Sequence, residues 1–196
     1  MKSHHFKTEV NRAASEEVTP VPFARSYWIV PGKFLAGAYP GDPFPEEAEE
    51  KLRPFIDAGI RCFLDLTSPG DMNLYGLYLV PYQELLEKIT DRRFKITYRQ
   101  MPVTDQEVPS RVQMREILDF IDKAISGDFP VYVHCLGGLG RTGTAVGCWL
   151  VRHGIERGEA VFDLIRRLRR NDTRAGMPSP QTDRQRRFIL EWNEGD

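Results

Sequence analysis

The sequence predicts a single α/β domain in which a central, largely parallel mixed sheet is flanked by helices. Short β-branched and aromatic runs alternate with amphipathic helical stretches along the chain. One such run, Pro130-Val131-Tyr132-Val133, passes through a glycine-rich loop straight into a helical segment. The length of 196 residues, 41% hydrophobic and 28% charged, suits one substantial core better than two. The domain is expected over residues 21–196. Residues 1–20 are polar and charged with no apolar core, so they are expected as a flexible tail rather than a secretory signal.

Taken in order, Tyr27-Trp28-Ile29-Val30 and Phe34-Leu35-Ala36-Gly37 flank the turn signal Pro31-Gly32 and read as a hairpin. Pro45 to Asp57 carries its acids early and Leu52, Phe55 and Ile56 late, as a helix would, with Pro54 expected to kink or shorten it. Ile60 to Leu66 reads as a strand, Thr67 to Pro81 as a long connection, Tyr82 to Ile89 as a short helix and Phe94 to Met101 as a strand. Ser110 opens a helix with Gln113 placed as its capping-box partner; Ile117, Leu118, Ile121 and Ile125 form one apolar face, and Gly127 ends it. The glycine loop and its helix follow. Glu156 to Arg170 and Pro180 to Trp192 complete the helices, the last burying Phe188 and Ile189.

The strand–loop–helix unit proposes a chemistry. Residues 134–142 read His134-Cys135-Leu136-Gly137-Gly138-Leu139-Gly140-Arg141-Thr142, so the loop sits at a helix N-terminus. Free backbone amides and the positive end of the helix dipole converge there and favour a phosphate dianion. Leu136, Gly137, Gly138, Leu139, Gly140 and Arg141 are the expected phosphate-binding residues, the glycines letting the backbone curl around the anion. A cysteine in that field beside a cation favours its thiolate, and a permanently charged guanidinium can hold two phosphate oxygens while sulfur attacks phosphorus. Phosphoryl transfer to sulfur divides a hard hydrolysis into two easier steps and needs no metal or cofactor.

The string His134-Cys135, five residues, Arg141-Thr142 resembles the signature of the cysteine-dependent protein phosphatases. Its filling is similar to that of the dual-specificity and kinase-associated members. The resemblance implies roles for Cys135 as nucleophile, Arg141 as phosphate clamp, Thr142 as hydroxyl donor to the departing sulfur and His134 as a loop-holding residue. Departure of an alkoxide or phenoxide also needs a proton, which Arg141 cannot give. Asp105 is the candidate acid. It lies in the loop Met101 to Pro109, about thirty residues before the cysteine, as in dual-specificity phosphatases. Glu107 competes for that role, and the tryptophan of the tyrosine-specific acid loop is absent. Gln181-Thr182-Asp183-Arg184-Gln185 resembles the glutamine segment of tyrosine-specific phosphatases, which nominates Gln181, supported by Gln185, for positioning the hydrolytic water. Pro178-Ser179-Pro180, just before it, departs from that pattern.

The implied function is removal of phosphate from phosphotyrosine in proteins, with phosphoserine and phosphothreonine open as further substrates. A phosphoinositide, inositol-phosphate or RNA 5′-end phosphatase is the alternative, as is a phosphate-binding scaffold without activity. The expected partner is a phosphorylated protein. Twenty-seven basic against 28 acidic residues give no global field for nucleic acid. No run approaches a membrane span. Cys62, Cys135 and Cys148 make an odd count without metal-ligand spacing, which favours a reducing, cytoplasmic setting. Arg166, Arg167, Arg169 and Arg170 are expected on the solvated face of a helix, with a docking patch for acidic partners as the other reading.

Overall fold

The computed structural model describes residues 2–15, 19–91 and 93–196. Five strands form one sheet: β1 (Ser26–Val30), β2 (Phe34–Ala38), β3 (Cys62–Asp65), β4 (Thr97–Gln100) and β5 (Val131–Cys135). The order is β1-β2-β5-β3-β4, with β1 and β2 antiparallel and every other pair parallel. Among the described residues, seven helices surround it: α1 (Lys2–Ala13), α2 (Pro45–Asp57), α3 (Gln83–Ile89), α4 (Arg111–Ser126), α5 (Gly140–Arg152), α6 (Ala160–Leu168) and α7 (Asp183–Leu190).

Strand alternation divides the core in two. Tyr27, Ile29, Phe34, Ala36, Cys62, Leu64, Val131, Val133 and Cys135 face α1 and α4 to α7, whereas Trp28, Leu35, Phe63 and Tyr132 face α2 and α3. With both faces covered, β1, β2, β3 and β5 are buried at every residue. β5 lies between β2 and β3, so its carboxyl end opens at the middle of the sheet. That is where open α/β sheets bind ligands.

Several elements differ from expectation. The loose tail is instead helical over Lys2–Ala13; Met1 and residues 16–18 lie outside the described residues. Its polar composition hides a narrow stripe, Phe6, Val10 and Ala13, at helical spacing. Val10 is fully buried, and Phe6 packs edge-on against Trp149 at 5.3 Å. α2 runs unbroken through Pro54, because the hydrogen bond it removes would have fallen at exposed Glu50, and buried Phe55 and Ile56 anchor the last turn. Ser110 caps α4 through Gln113 N at 3.1 Å, yet the Gln113 side chain does not close a box. It donates to Pro102 O at 2.8 Å and ties the Met101–Pro109 loop to the helix. Arg169 leaves the solvated face: it is 1% exposed, paired with Asp172, and donates to the carbonyls of Met177 and Arg174.

Candidate active site

Cys135 ends β5 and is 3% exposed at the floor of a cleft of about 520 Å³. The loop from Leu136 to Gly140 turns from that strand into α5. Gly138 takes a φ of 72°, and a Cβ there would stand 2.6 Å from the Gly37 carbonyl carbon, so both the turn and the close approach to β2 require glycine. The loop is held from outside through its carbonyls. Leu136 O accepts from Tyr39 N at 3.2 Å, Gly137 O from Arg25 Nη2 at 3.2 Å and Leu139 O from Ser179 Oγ at 2.8 Å. Among the described residues, the amides of Gly137, Gly138 and Leu139 donate to no protein acceptor. Carbonyls tied outward and amides left free are what an anion cup requires.

Arg141 is buried in the first turn of α5. Its Nη1 donates to Asp71 Oδ2 at 2.5 Å, Val103 O at 2.9 Å and Leu66 O at 3.4 Å, which fixes the guanidinium from behind. Its Nε and Nη2 have no hydrogen-bond partner, although Nη2 lies 3.0 Å from Asp105 Oδ1 as an ion contact. Burial pulls the Arg141 pKa down, yet the negative field of Cys135, then of Asp71 and Asp105, outweighs it and holds the pKa above its usual value. The free edge of the fork is therefore available to two oxygens of one phosphate.

The candidate acid and its rival separate. Asp105 lines the cleft, with its side chain half-exposed against Arg141. Glu107 is drawn away by an ion pair with Arg184, and its carbonyl accepts from Gln185 Nε2 at 3.2 Å. Gln181 also lines the cleft, whereas Gln185 is fully buried, its Oε1 accepting from Gln181 N and Thr182 N at 3.1 and 3.2 Å. Thr182 and Gln185 form a true capping box at α7. The Pro178–Pro180 segment brings buried Ser179 under Leu139 and so supports the cup.

Thr142 behaves otherwise than its resemblance implied. Thr142 is fully buried and its hydroxyl donates to Gly37 O at 3.2 Å, so here it joins α5 to β2 rather than to the sulfur. His134 points to the opposite face of the sheet from Cys135, where its Nε2 shares a hydrogen bond with Tyr82 Oη. Burial lowers its pKa and outweighs the opposing field of Asp65, which keeps the ring neutral. Asp65 is itself held by other donors, accepting from Thr67 N at 2.8 Å, Thr67 Oγ1 at 2.7 Å and Tyr98 Oη at 2.6 Å. Asp71 is the residue that sequence reasoning missed. Its signal was the long Thr67–Pro81 connection, since a structureless loop of that length inside a compact domain tends to be functional. Among the described residues, no group of three His, Cys, Asp or Glu side chains is placed to hold a metal ion, and no helix is long and apolar enough to cross a membrane.

Residues 42–155 match the model of a family described as "Polymorphic toxin system, DSP-PTPase phosphatase". The chain belongs to this phosphatase family. The matched span holds Asp71, Asp105, Cys135 and Arg141 and excludes Arg25, Arg174 and Gln181. Dual specificity protein phosphatase 7 of Homo sapiens is similar at 26% identity over 136 residues, which cover 67% of this chain and 32% of that protein. The chain spans less than half the length of the curated relatives it matches first. Two solved structures share its fold. Kinase associated phosphatase aligns with a TM-score of 0.60 at 19% identity, covering 81% of this chain and 84% of that one. PTPMT1 in complex with PI(5)P aligns with a TM-score of 0.60 at 17% identity, covering 82% and 89%.

Proposed function

We propose that the chain removes phosphate from phosphotyrosine in proteins, with phosphoserine and phosphothreonine as further substrates, through a cysteinyl-phosphate. One observation carries the reading. The Arg141 fork is fixed from behind by Asp71 while its Nε and Nη2 make no hydrogen bond, Nη2 keeping only the ion contact with Asp105, beside Cys135 and loop amides that donate to no protein acceptor. In the first step the Cys135 sulfur forms a bond to phosphorus, the ester oxygen leaves, and Asp105 supplies its proton. The incoming phosphate displaces Asp105 from Arg141 Nη2, and a half-exposed loop side chain can swing to the leaving oxygen. In the second step a water positioned by Gln181 attacks phosphorus, Asp105 takes its proton, and the sulfur departs as thiolate. His134, held on Tyr82, braces the strand end and exchanges no proton.

A phosphoinositide headgroup is the second reading. Leu74 and Tyr75, 94% and 88% exposed at the rim of the cleft, suit a lipid surface as well as a peptide. The deciding experiment is a turnover panel of phosphotyrosine peptides, phosphothreonine peptides, phosphoinositides and RNA 5′ ends, with rapid quenching and mass spectrometry of Cys135. The proposal expects phosphotyrosine peptides to turn over fastest and phosphorus to appear on Cys135. Turnover that survives Cys135→Ser overturns the mechanism.

A further inference from the structure

Among the described residues, β4 is the one strand that keeps an open edge and an open face. β1, β2, β3 and β5 are buried at every position, whereas Thr97 and Tyr98 are half-buried and Arg99 and Gln100 exposed. At the other end of the sheet α1 packs against β1; β4 ends the sheet with no further strand beside it. Thr97 N and Met101 N donate inward to Arg61 O and Asp65 O at 2.9 and 2.8 Å. By strand alternation the N–H and C=O groups of Tyr98 and Gln100 therefore point outward. Beside that edge a cavity of about 740 Å³ opens between β4 and α4. Its apolar lining is Cys62, Phe120, Ala124 and Phe129, the last 49% exposed. Lys95, Arg99 and Lys123 also line it, Arg99 standing over the Phe120 ring at 5.9 Å, and none of the three makes an ion pair among the described residues. Of its two carboxylates, Asp119 is held by Arg152 at 2.6 Å, which leaves Glu116 against three cations.

An open edge accepts an added strand through backbone hydrogen bonds, and alternate side chains of that strand turn into the groove beside it. A second copy of the chain fits poorly, because β4 against β4 sets Lys95 and Arg99 against the same cations. β4 runs into the Met101–Pro109 loop and α4 runs back out of it. The groove therefore has one end at the acid loop, with Arg99 and Glu116, and a far end with Lys95, Lys123 and Phe129. The uncompensated positive charge lies at the far end. We propose that this groove docks an extended acidic segment of the phosphoprotein substrate, added as a strand to β4, with its carboxylates at Lys95 and Lys123 and an apolar side chain on Phe129. The inference rests on the protein-phosphatase reading above. From Lys95 to Met101 the chain rises about 20 Å, and β5 lies two strands, about 10 Å, across, so the far end stands roughly 20–25 Å from Cys135. About ten residues of connecting chain span that distance. Docking so far from the chemistry raises the local concentration of the phosphorylated side chain and leaves the bond-breaking step as it is.

The test compares two substrates on the unaltered protein. One is a short phosphotyrosine peptide; the other is the same peptide joined, in either order, through about ten glycine and serine residues to a strand alternating glutamate with valine. The joined peptide should show a KM on the order of tenfold lower in at least one order, with kcat unchanged. Lys95→Glu together with Lys123→Glu should abolish that gain while kcat/KM for the short peptide stays as it was. In the same variant a strand alternating lysine with valine should restore the gain, which a fold damaged by the substitutions would not allow. On the Cys135→Ser protein, binding of the acidic strand should slow hydrogen exchange at the Tyr98 and Gln100 amides. Equal KM values for the short and joined peptides overturn the docking site, as does a gain that survives the charge reversal. Unchanged exchange at both amides overturns the strand addition. Turnover of the short peptide tests the underlying reading separately: turnover without a KM difference removes only the docking site, and absent turnover removes the protein-phosphatase reading.

Discussion

Asp71→Asn tests whether the phosphate clamp is aimed from behind. Asp71 and Arg141 are 9% and 2% exposed and meet at 2.5 Å, so the pair is buried. Removing one partner of a buried pair costs about 3–5 kcal/mol when the remaining charge is left uncompensated. Arg141 would keep the Val103 and Leu66 carbonyls and its contact with Asp105, and asparagine would retain one acceptor. The loss of stability is therefore expected at or just below the lower end, at about 2–3 kcal/mol. The effect on turnover should be larger in proportion, because a clamp displaced by about 1 Å can cost on the order of a hundredfold. Urea unfolding reads the first quantity. The second is read by kcat/KM on an aryl phosphate together with the inhibition constant of inorganic phosphate, which should rise as the fork loses its aim. Lost stability with unchanged kcat/KM and phosphate affinity would make Asp71 a packing residue and refute the positioning argument. No change in either would refute the pair itself.

Asp105→Ala should slow alkyl phosphates by about a hundredfold or more while activated aryl phosphates lose far less, because a good leaving group needs little protonation. The same variant should bind inorganic phosphate more tightly, since it empties the contact on Arg141 Nη2; equal losses on both substrate types would point to another acid. Gly138→Ala places a side chain at positive φ against the Gly37 backbone and should cost at least about 2 kcal/mol, a drop of roughly 4–8 °C in Tm by scanning calorimetry, together with phosphate binding. An unchanged Tm would contradict the packing of the loop on β2. For His134 the folded pKa is lowered, so between about pH 6.5 and that lower value the unfolded chain binds more protons and stability falls as pH falls, by up to about 1.4 kcal/mol per pH unit. Urea titrations between pH 5 and 8 should show a shallower slope for His134→Gln; identical slopes would mean the imidazole is not held neutral.

The sheet was largely legible because both faces of its inner strands are buried, so β-branched and aromatic runs marked them directly. The hairpin around Pro31-Gly32 and the strand before Cys135 fall where the residues place them. Local capping was only partly legible. Ser110 and Thr182 sit in the same sequence pattern, yet only Thr182 closes a box, because Gln113 finds the Pro102 carbonyl across the acid loop. That choice depends on a contact eleven residues away, which no capping rule contains. α1 was hidden for a related reason: three apolar residues in a polar segment gain nothing until Trp149 and β1 are present to cover them.

The candidate site follows the same division. Cys135, Arg141 and the glycines are contiguous, so one stretch of chain could be read for the cup, and its geometry answers to local constraints such as the left-handed Gly138. What aims and surrounds the cup comes from elsewhere. Asp71 lies 70 residues from Arg141, Ser179 lies 40 from Leu139, and Arg25 lies 112 from Gly137. None carries a signature, because each is an ordinary polar residue whose meaning arises only once β5 is placed between β2 and β3. Thr142 shows the converse. Its place in the signature implied a bond to the sulfur, while the close approach of α5 to β2 gives its hydroxyl the Gly37 carbonyl instead. A buried hydroxyl takes the acceptor that packing brings within reach. A role carried over by spacing therefore holds only where the surrounding fold offers the same acceptor.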